Sequence, residues 1–265
     1  MEKCLYMRNF KQAEQALDSV DYKINTVFCG DYGCPKVLPT LKELIIFTNK
    51  MALKNIKVHY ISPKVTQSMI DGEKSRVLEI IEYGIGVSIN DWGLLYSLRS
   101  QIKPQHDVYL GRLLTKSIAD WVWSDIFFES ESVEAINYLS QNSFNHNKKD
   151  NYFKSWGIKG IEVNIHKNGE PSYSNIKKRG FSIIGYADNT VAAVSRACPF
   201  LKLKGMAFGS VDCTGLCTGK HILTPIDKNG WNVYPEMELC GNVIYVKKHD
   251  EPSWPGYNKL VYSWC

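Results

Sequence analysis

The chain contains the segment Gly86-Val87-Ser88-Ile89-Asn90-Asp91-Trp92-Gly93-Leu94-Leu95, in which a short apolar run leads through two polar residues into a helical pattern. This order predicts a strand at 86–89, a loop, and a helix at 92–99. The same unit recurs along the chain. Further strands are expected at 24–29, 58–61, 108–110, 160–163 and 181–184, and further helices at 38–53, 74–83 and 174–179. Repeated units of strand, loop and helix form parallel sheets with right-handed crossovers.

Two architectures contain such units, an open doubly wound sheet and a (β/α) barrel. Distinctive polar residues follow one expected strand after another. They are Asp31, Cys34, Asn90, Asp91, Arg112 and Asn164. This placement favours the barrel, whose site is assembled from loops at the C-terminal ends of its strands. No G-x-G-x-x-G motif follows the first expected strand, which removes the usual dinucleotide signature. We therefore expect an α/β fold, a TIM-like (β/α) barrel that could be incomplete or distorted.

The two flanks of this pattern differ from its middle. Residues 1–21 are expected to form an N-terminal helix, centred on a polar stretch at 9–19. Beyond residue 200 the pattern changes to short β-type runs at 205–208, 221–223 and 242–246, separated by Gly, Pro and Asn. We expect the segment 200–265 to be a β-rich antiparallel cap on a single barrel-like domain that spans residues 1–265.

The composition is that of an ordinary globular protein, with 44% hydrophobic residues, 22% charged residues and a net charge of +5. Basic residues are scattered apart from Lys148-Lys149 and Lys177-Lys178-Arg179, so charge does not favour nucleic-acid binding. No apolar run is long enough to span a bilayer, and polar residues follow Met1-Glu2-Lys3-Cys4 where a signal peptide would be apolar. We expect a cytoplasmic protein whose cysteines lie in a reducing compartment.

Four cysteines are candidate ligands of one metal centre. They are Cys34, Cys198, Cys213 and Cys217, and the last three form a C-x14-C-x3-C pattern. Clustered thiols in a protein without an export signal hold metals more often than they form disulfides. Structural zinc and iron-sulfur clusters both accept four thiolates, so the spacing does not choose between them. The alternative is that the last three are small buried residues.

The fourth ligand is less certain from spacing, because three other cysteine positions compete for it. Cys34 is favoured, since it lies in the loop after the first expected strand. Cys29 falls within that strand and is expected in the core. Cys240 is a further possible ligand, but it belongs to an expected strand in Leu239-Cys240-Gly241-Asn242.

Four other residues are candidate catalytic residues: Arg112, Asn90, Asp91 and Glu162. Arg112 follows a strand and could bind a carboxylate substrate through two hydrogen bonds, or form a surface ion pair. Asn90 and Asp91 could hold a substrate or simply cap the helix that follows. Glu162 lies within a strand, where an inward carboxylate needs a partner, and Arg112 is a candidate for that role.

Other catalytic arrangements have no support in the sequence. His59 and His166 are lone histidines, which are more often structural than catalytic. There is no convincing Ser-His-Asp or Cys-His arrangement, no H-E-x-x-H motif and no phosphate-binding loop. Hydrolysis by these routes is therefore not expected.

Six parts of the sequence together are similar to a known family. They are residues 28–34, 86–95, 110–114, 157–163 and 239–242, and Arg196-Ala197-Cys198-Pro199 with Cys213 and Cys217. In their order they resemble the UbiV/UbiU-like branch of the collagenase-like peptidase family, family U32. The resemblance covers most of residues 22–248 and is specific in the order of its motifs, each of which is weak alone.

The resemblance implies a TIM-like barrel with a [4Fe-4S] cluster held by Cys34, Cys198, Cys213 and Cys217. In this branch UbiU and UbiV form a heterodimer that supports oxygen-independent hydroxylation of a ubiquinone precursor, with prephenate as the suggested oxygen donor. Relatives hydroxylate RNA bases, and others are described as peptidases. The implied function is therefore an iron-sulfur-dependent, oxygen-independent hydroxylase of an aromatic or other small biosynthetic intermediate, with Arg112 holding the carboxylate of a prephenate-like donor.

Three alternatives remain beside this function. The chain could be a non-catalytic, cluster-bearing subunit that pairs with a paralogous barrel protein. Peptidase activity ranks lower, because no nucleophile is recognisable. Hydroxylation of RNA bases also ranks lower, because the chain has no strong basic tract and no appended RNA-binding module.

Overall fold

The computed structural model describes residues 1–8, 10, 13–121, 124–145, 150–195, 198–203, 205, 217, 221–223, 237–247 and 253–264. Its strands, in chain order, are β1 (Glu2–Met7), β2 (Thr26–Gly30), β3 (Lys57–Ile61), β4 (Gly86–Ile89), β5 (Val108–Leu110), β6 (Ile158–Asn164), β7 (Ser182–Tyr186), β8 (Asn189–Val194), β9 (His221–Leu223), β10 (Met237–Cys240), β11 (Val243–Lys247) and β12 (Lys259–Trp264). Strands β1 to β7 and β12 form a closed parallel barrel, in which β12 lies between β7 and β1. The predicted TIM-like barrel is confirmed, and it is closed.

Helices follow most of the barrel strands and cover the outside of the barrel. They are α1 (Ala13–Asp18), α2 (Leu41–Ala52), α3 (Ile70–Glu82), α4 (Trp92–Leu98), α5 (Ser124–Glu129), α6 (Val133–Leu139), α7 (Asp150–Ser155), α8 (Glu170–Lys178) and α9 (Pro199–Leu203). Helix α2 begins at a capping box, in which Thr40 and Glu43 satisfy each other's backbone N–H groups. Its buried residues Leu44, Phe47 and Met51 pack on the strands. None of the helices in the described part of the chain is long and apolar enough to cross a membrane.

Successive residues of each strand point alternately into the barrel and towards the helices, which gives two separate cores. In β1, Leu5 and Met7 belong to the outer core, whereas Cys4 and Tyr6 belong to the inner one. The inner core is rich in aromatic side chains. Its tyrosines and phenylalanine are Tyr6, Phe28, Tyr32, Tyr109, Tyr186 and Tyr245. The barrel interior is therefore a packed aromatic core, as expected for an eight-stranded barrel.

An antiparallel sheet is inserted between β7 and β12, with the strand order β8-β11-β10-β9. Its residues Val191, Val243 and Tyr245 pack into the same inner core as the barrel interior. The hydroxyl of Tyr245 lies 3.4 Å from the hydroxyl of Tyr6, near the end of β1. The sheet therefore covers the C-terminal mouth of the barrel.

The flanks differ from what the sequence predicted. Residues 1–21 begin with strand β1, and the described helix in this segment is only α1. Strand β1 is stabilised by parallel pairing with β2 and β12, and this long-range pairing outweighs the local polar pattern. The cap begins before residue 200, at β8, and β12 returns to the barrel. Apart from Gly205, the run expected at 205–208 lies outside the described residues.

Candidate functional site

The barrel brings the polar residues that follow its strands to one end of the molecule. Asp31 follows β2, Asn90 and Asp91 follow β4, Arg112 follows β5, and Asn164 ends β6. Because the strands are parallel, all these positions lie at the C-terminal mouth, beneath the antiparallel sheet. The sequence therefore placed these residues correctly at a common edge.

A buried ion pair organises one side of the mouth. Arg8, directly after β1, donates from Nε to Oδ2 of Asp31. The other carboxylate oxygen of Asp31 accepts hydrogen bonds from the backbone N–H groups of Gly33 at 2.8 Å and Cys34 at 2.6 Å. Asp31 is fully buried. The pair therefore fixes the turn that positions Cys34.

The same arginine contacts two cysteine sulfurs. Nη1 of Arg8 lies 3.3 Å from Sγ of Cys217 and 3.5 Å from Sγ of Cys240. Gly241, with φ of 65°, lies beside this guanidinium, and a Cβ at this position would overlap Nη2 of Arg8. The positive φ and the close approach both require glycine here. Cys240 was expected to be a strand residue, and it is the last residue of β10 with its thiol at the mouth.

Cys34 belongs to the same group of thiols. Burial raises the pKa of Cys34 to about 11. The nearby charge of Asp31 and the Cys217 thiol add to this increase, whereas the charge of Arg8 opposes it. Burial likewise raises the pKa of Cys240 to about 11, although Arg8 opposes the change. These thiols are therefore protonated at neutral pH, and a metal would bind them only by displacing those protons.

Cys198 and Cys213 complete the predicted ligand set, and the structure describes only the first. The amide of Asn242 donates to the backbone oxygens of Gly33 at 2.6 Å and Ser195 at 2.9 Å. Asn242 therefore holds together the segments that lead into Cys34 and Cys198. Cys213 lies outside the described residues. Among the residues that are described, no three His, Cys, Asp or Glu side chains are arranged to hold a metal ion, so the four-cysteine centre stays a prediction.

Cys29 lies elsewhere, as the sequence predicted. It is fully buried in the outer core, between β2 and the helices. Burial raises the pKa of the Cys29 thiol to about 12. Its side chain therefore points away from the group of thiols at the mouth.

Arg112 lies inside the barrel mouth and is fully buried. Its guanidinium carbon lies 3.7 Å from the ring centre of Tyr186 and 4.6 Å from that of Tyr32. Nε donates to the Tyr32 hydroxyl at 3.0 Å, and Nη1 donates to Oδ1 of Asn164 at 3.2 Å and to two oxygens of Asn189 at 3.0 Å. The alternative of a surface ion pair is therefore wrong for Arg112.

Glu162 is also fully buried, on the inner face of β6. Its Oε1 accepts hydrogen bonds from Ser88 at 2.5 Å and Tyr186 at 3.0 Å. Burial raises the pKa of Glu162, whereas the hydrogen bond from Ser88 and the charge of Arg112 lower it. Arg112 and Glu162 form no ion pair within 4.0 Å, and Arg112, the candidate partner, acts on the carboxyl group through its charge and its backbone N–H, both of which lower the pKa of Glu162. Tyr186 connects them instead, since its ring stacks on Arg112 and its hydroxyl binds Glu162.

The hydrogen bond between Ser88 and Glu162 extends to a third residue inside the barrel, His59. Nε2 of His59 lies 2.8 Å from Oγ of Ser88. Burial, followed by the charge of Lys259, lowers the pKa of His59, so its imidazole is neutral. His166 is a separate case, since it is buried 3.3 Å from Ser117. His59 therefore orients the Ser88 and Glu162 pair, and His166 is structural.

Besides Nη2 of Arg8 and Oδ1 of Asn242, four polar atoms near the mouth are buried and have no hydrogen-bond partner within the described part of the chain. They are Nη2 of Arg112, Oε2 of Glu162, Nδ2 of Asn164 and Oγ1 of Thr190. A buried polar atom that stays unpaired costs about 1–3 kcal/mol. Two of these atoms are donors on neighbouring residues, because Arg112 and Asn164 are hydrogen-bonded to each other. This group of atoms is suited to a small polar ligand with an acidic group.

Asn90 and Asp91 have structural roles at the barrel mouth. Asn90 donates to the backbone oxygen of Ser62 at 3.1 Å and accepts from the backbone N–H of Leu113 at 3.2 Å, so it ties three loops together. Asp91 caps α4 by accepting from the backbone N–H of Leu94 at 3.0 Å. Both residues also line a cavity of about 190 Å³ between the barrel and the antiparallel sheet, beside Lys64.

Sequence reasoning missed Arg8 and the aromatic residues around Arg112. Arg8 had no visible role because β1 was not recognised as a strand. The short apolar run Cys4-Leu5-Tyr6-Met7, directly followed by an arginine, was the available signal.

Comparison with known proteins gives a likeness in fold. No protein-family model matches the chain, and no curated protein matches it either. Among solved structures, the U32 peptidase Mk0906 is similar, with a TM-score of 0.50 and 11% sequence identity, over 100% of this chain and 93% of that one. At this identity the likeness shows the fold and nothing of the chemistry.

Proposed function

We propose that this protein holds a [4Fe-4S] cluster at the barrel mouth through Cys34, Cys198, Cys213 and Cys217. The proposal rests mainly on one observation: Cys217 and Cys34 are far apart in the chain, yet both lie beside the Arg8–Asp31 pair. The order of the sequence motifs points in the same direction.

The chemistry around the thiols fits such a group. Arg8 already donates to the sulfur of Cys217, and its Nη2 is a buried donor without a partner among the described residues. A positive charge and N–H donors beside thiolates stabilise an anionic iron-sulfur centre and tune its potential. When bound, the cluster would supply one-electron chemistry or an iron site for an oxygen donor.

We further propose that the protein supports oxygen-independent hydroxylation of an aromatic or other small biosynthetic intermediate. Arg112 would hold the carboxylate of a prephenate-like donor through Nη2, because its other nitrogens are already engaged. Glu162, whose pKa is raised by burial, would exchange a proton with the bound molecule through Oε2. The rings of Tyr32 and Tyr186 would exclude water and pack against the ligand.

The cluster is tested by purification without oxygen. We expect brown protein with about four irons and four sulfides per chain. Replacing Cys34, Cys198, Cys213 or Cys217 by Ala should remove most of the iron, whereas Cys29→Ala should keep it. Colourless protein with stoichiometric zinc would overturn the assignment.

Cys240 provides the sharpest control, because its sulfur lies beside Arg8 as the sulfur of Cys217 does. Under the proposed ligand set, Cys240→Ala keeps its iron and Cys213→Ala loses it. The reverse result would replace Cys213 by Cys240 in the ligand set.

A second candidate is a non-catalytic subunit that completes a paralogous barrel partner. One observation favours it: exposed large apolar side chains are concentrated in the connection between β5 and β6. They are Ile118, Trp121, Phe127, Val133, Tyr138 and Tyr152. Exposed apolar residues in such number often mark a protein interface. Co-purification of a second barrel protein, with no activity from this chain alone, would decide for this candidate.

A further inference from the structure

A separate pocket lies outside the barrel, between the N-terminal part of α2 and α3. It has a volume of about 490 Å³, within the usual range for small-molecule sites. Its apolar lining residues include Leu38, Leu41 and Met69. Its charged lining residues are Glu73, Arg76 and Glu79, all on α3.

Arg76 has an unused binding edge. Its Nε and Nη2 are buried and have no hydrogen-bond partner among the described residues. These two nitrogens form one edge of the guanidinium, with the spacing of the two oxygens of a carboxylate. The side chain as a whole is half-buried, and it lines the pocket. Pairing with an anion would remove the cost of leaving both donors unbonded.

Glu73 lies one helical turn before this arginine, and burial raises the pKa of its carboxyl group, whereas the hydrogen bond from Tyr60 and the charge of Arg76 lower it. No ion pair within 4.0 Å joins the two residues, whereas residues at this spacing on a helix often pair. Tyr60 engages both of them separately. Its hydroxyl donates to Oε1 of Glu73 at 2.9 Å, and its ring centre lies 5.4 Å from the guanidinium carbon of Arg76. The pocket therefore presents a cation and a carboxyl group side by side, together with apolar side chains.

We propose that this pocket binds a free α-amino acid with an apolar side chain. The carboxylate pairs with Arg76, the ammonium group pairs with Glu73, and the side chain packs on Leu38, Leu41 and Met69. Glu79, which also lines the pocket, adds a second negative charge and disfavours ligands that carry a carboxylate alone. This site is distinct from the thiols and from the barrel interior, and it does not depend on the proposed cluster.

The ligand chemistry is tested by calorimetric titration of the protein with three compounds that share the isobutyl group of leucine. L-leucine carries both charges, 4-methylpentanoate lacks the ammonium group, and 3-methylbutylamine lacks the carboxylate. We expect saturable binding of L-leucine at one site, and affinities lower by about tenfold or more for the other two, since each loses a charged hydrogen bond. Equal affinity for L-leucine and either analogue, or no saturable binding at millimolar concentration, would overturn the proposal.

The position of the site is tested with variants of α3. Arg76→Gln should weaken L-leucine binding by about tenfold or more, and Arg76→Lys should also weaken it, because lysine keeps the charge but lacks the two-pronged edge. Lys74→Gln is the matched control, since it removes a charge from the same helix outside the pocket, and it should bind as the unmodified protein does. Circular dichroism and iron content are measured on each variant. Unchanged binding by a folded Arg76→Gln or Arg76→Lys variant would refute the site, whatever the iron content.

Discussion

Replacement of Arg8 by Gln tests whether the ion pair at the barrel mouth is a structural element. The exchange leaves Asp31 as a buried carboxylate without its cation, and breaking such a pair costs about 3–5 kcal/mol. Asp31 keeps its hydrogen bonds from Gly33 and Cys34, and the Arg8 side chain is 12% exposed. We therefore expect the lower end of the range, about 3 kcal/mol.

Thermal unfolding followed by circular dichroism measures this cost. A loss of about 3 kcal/mol corresponds to a melting temperature lower by about 6–12 °C for a chain of this size. The double variant Arg8→Gln with Asp31→Asn should recover part of the loss, because the buried charge is then gone, with a coupling energy above about 1 kcal/mol. Strictly additive single effects, or a loss below about 1 kcal/mol, would mean that the pair is solvated and does not hold the Cys34 turn.

Two further predictions concern the barrel interior and the sheet above it. Glu162→Gln keeps an oxygen acceptor for Ser88 and Tyr186 and removes a carboxyl group whose pKa is raised by burial. The folded protein therefore loses stability as pH rises from the ordinary glutamate pKa through the raised one, and the variant should lack this part of the pH dependence in urea unfolding. A pH profile identical to that of the unmodified protein would show that Glu162 titrates normally. Gly241→Ala should lower the free energy of unfolding by about 1–2 kcal/mol through backbone strain, and further through contact of the new Cβ with Arg8. Gly84 also has a positive φ but faces open space, so Gly84→Ala should cost only the strain. Equal losses of stability in the two variants would show that the Arg8 side chain moves away from the new Cβ at no measurable cost.

The sequence predicted those barrel strands whose boundaries are set locally. Strands β4 and β5 begin and end where predicted, because each is a short apolar run bounded by polar or glycine residues. Strands β1 and β12 were missed, since each is stabilised by pairing with the other end of the chain. Local pattern carries no information about such a partner.

The candidate site was predicted in outline and missed in detail for the same reason. Residues that follow recognised strands, such as Arg112, were placed correctly, whereas Arg8 follows an unrecognised strand. The position of Glu162 inside the barrel was foreseen as one of two options. Its connection to Arg112 through Tyr186 was not, because it depends on how the side chains of three different strands meet.

The position of β12 between β7 and β1 also sets the order in which the barrel can form. Until Lys259–Trp264 is available, β1 and β7 each present an unpaired parallel edge. The antiparallel sheet is made earlier in the chain than β12, so the mouth can be covered before the wall beneath it is complete. Closure of the ring is then a late event with a large loop to bring together, which slows folding. A nascent or truncated chain that lacks β12 would expose two strand edges to neighbouring chains, the condition under which barrels aggregate.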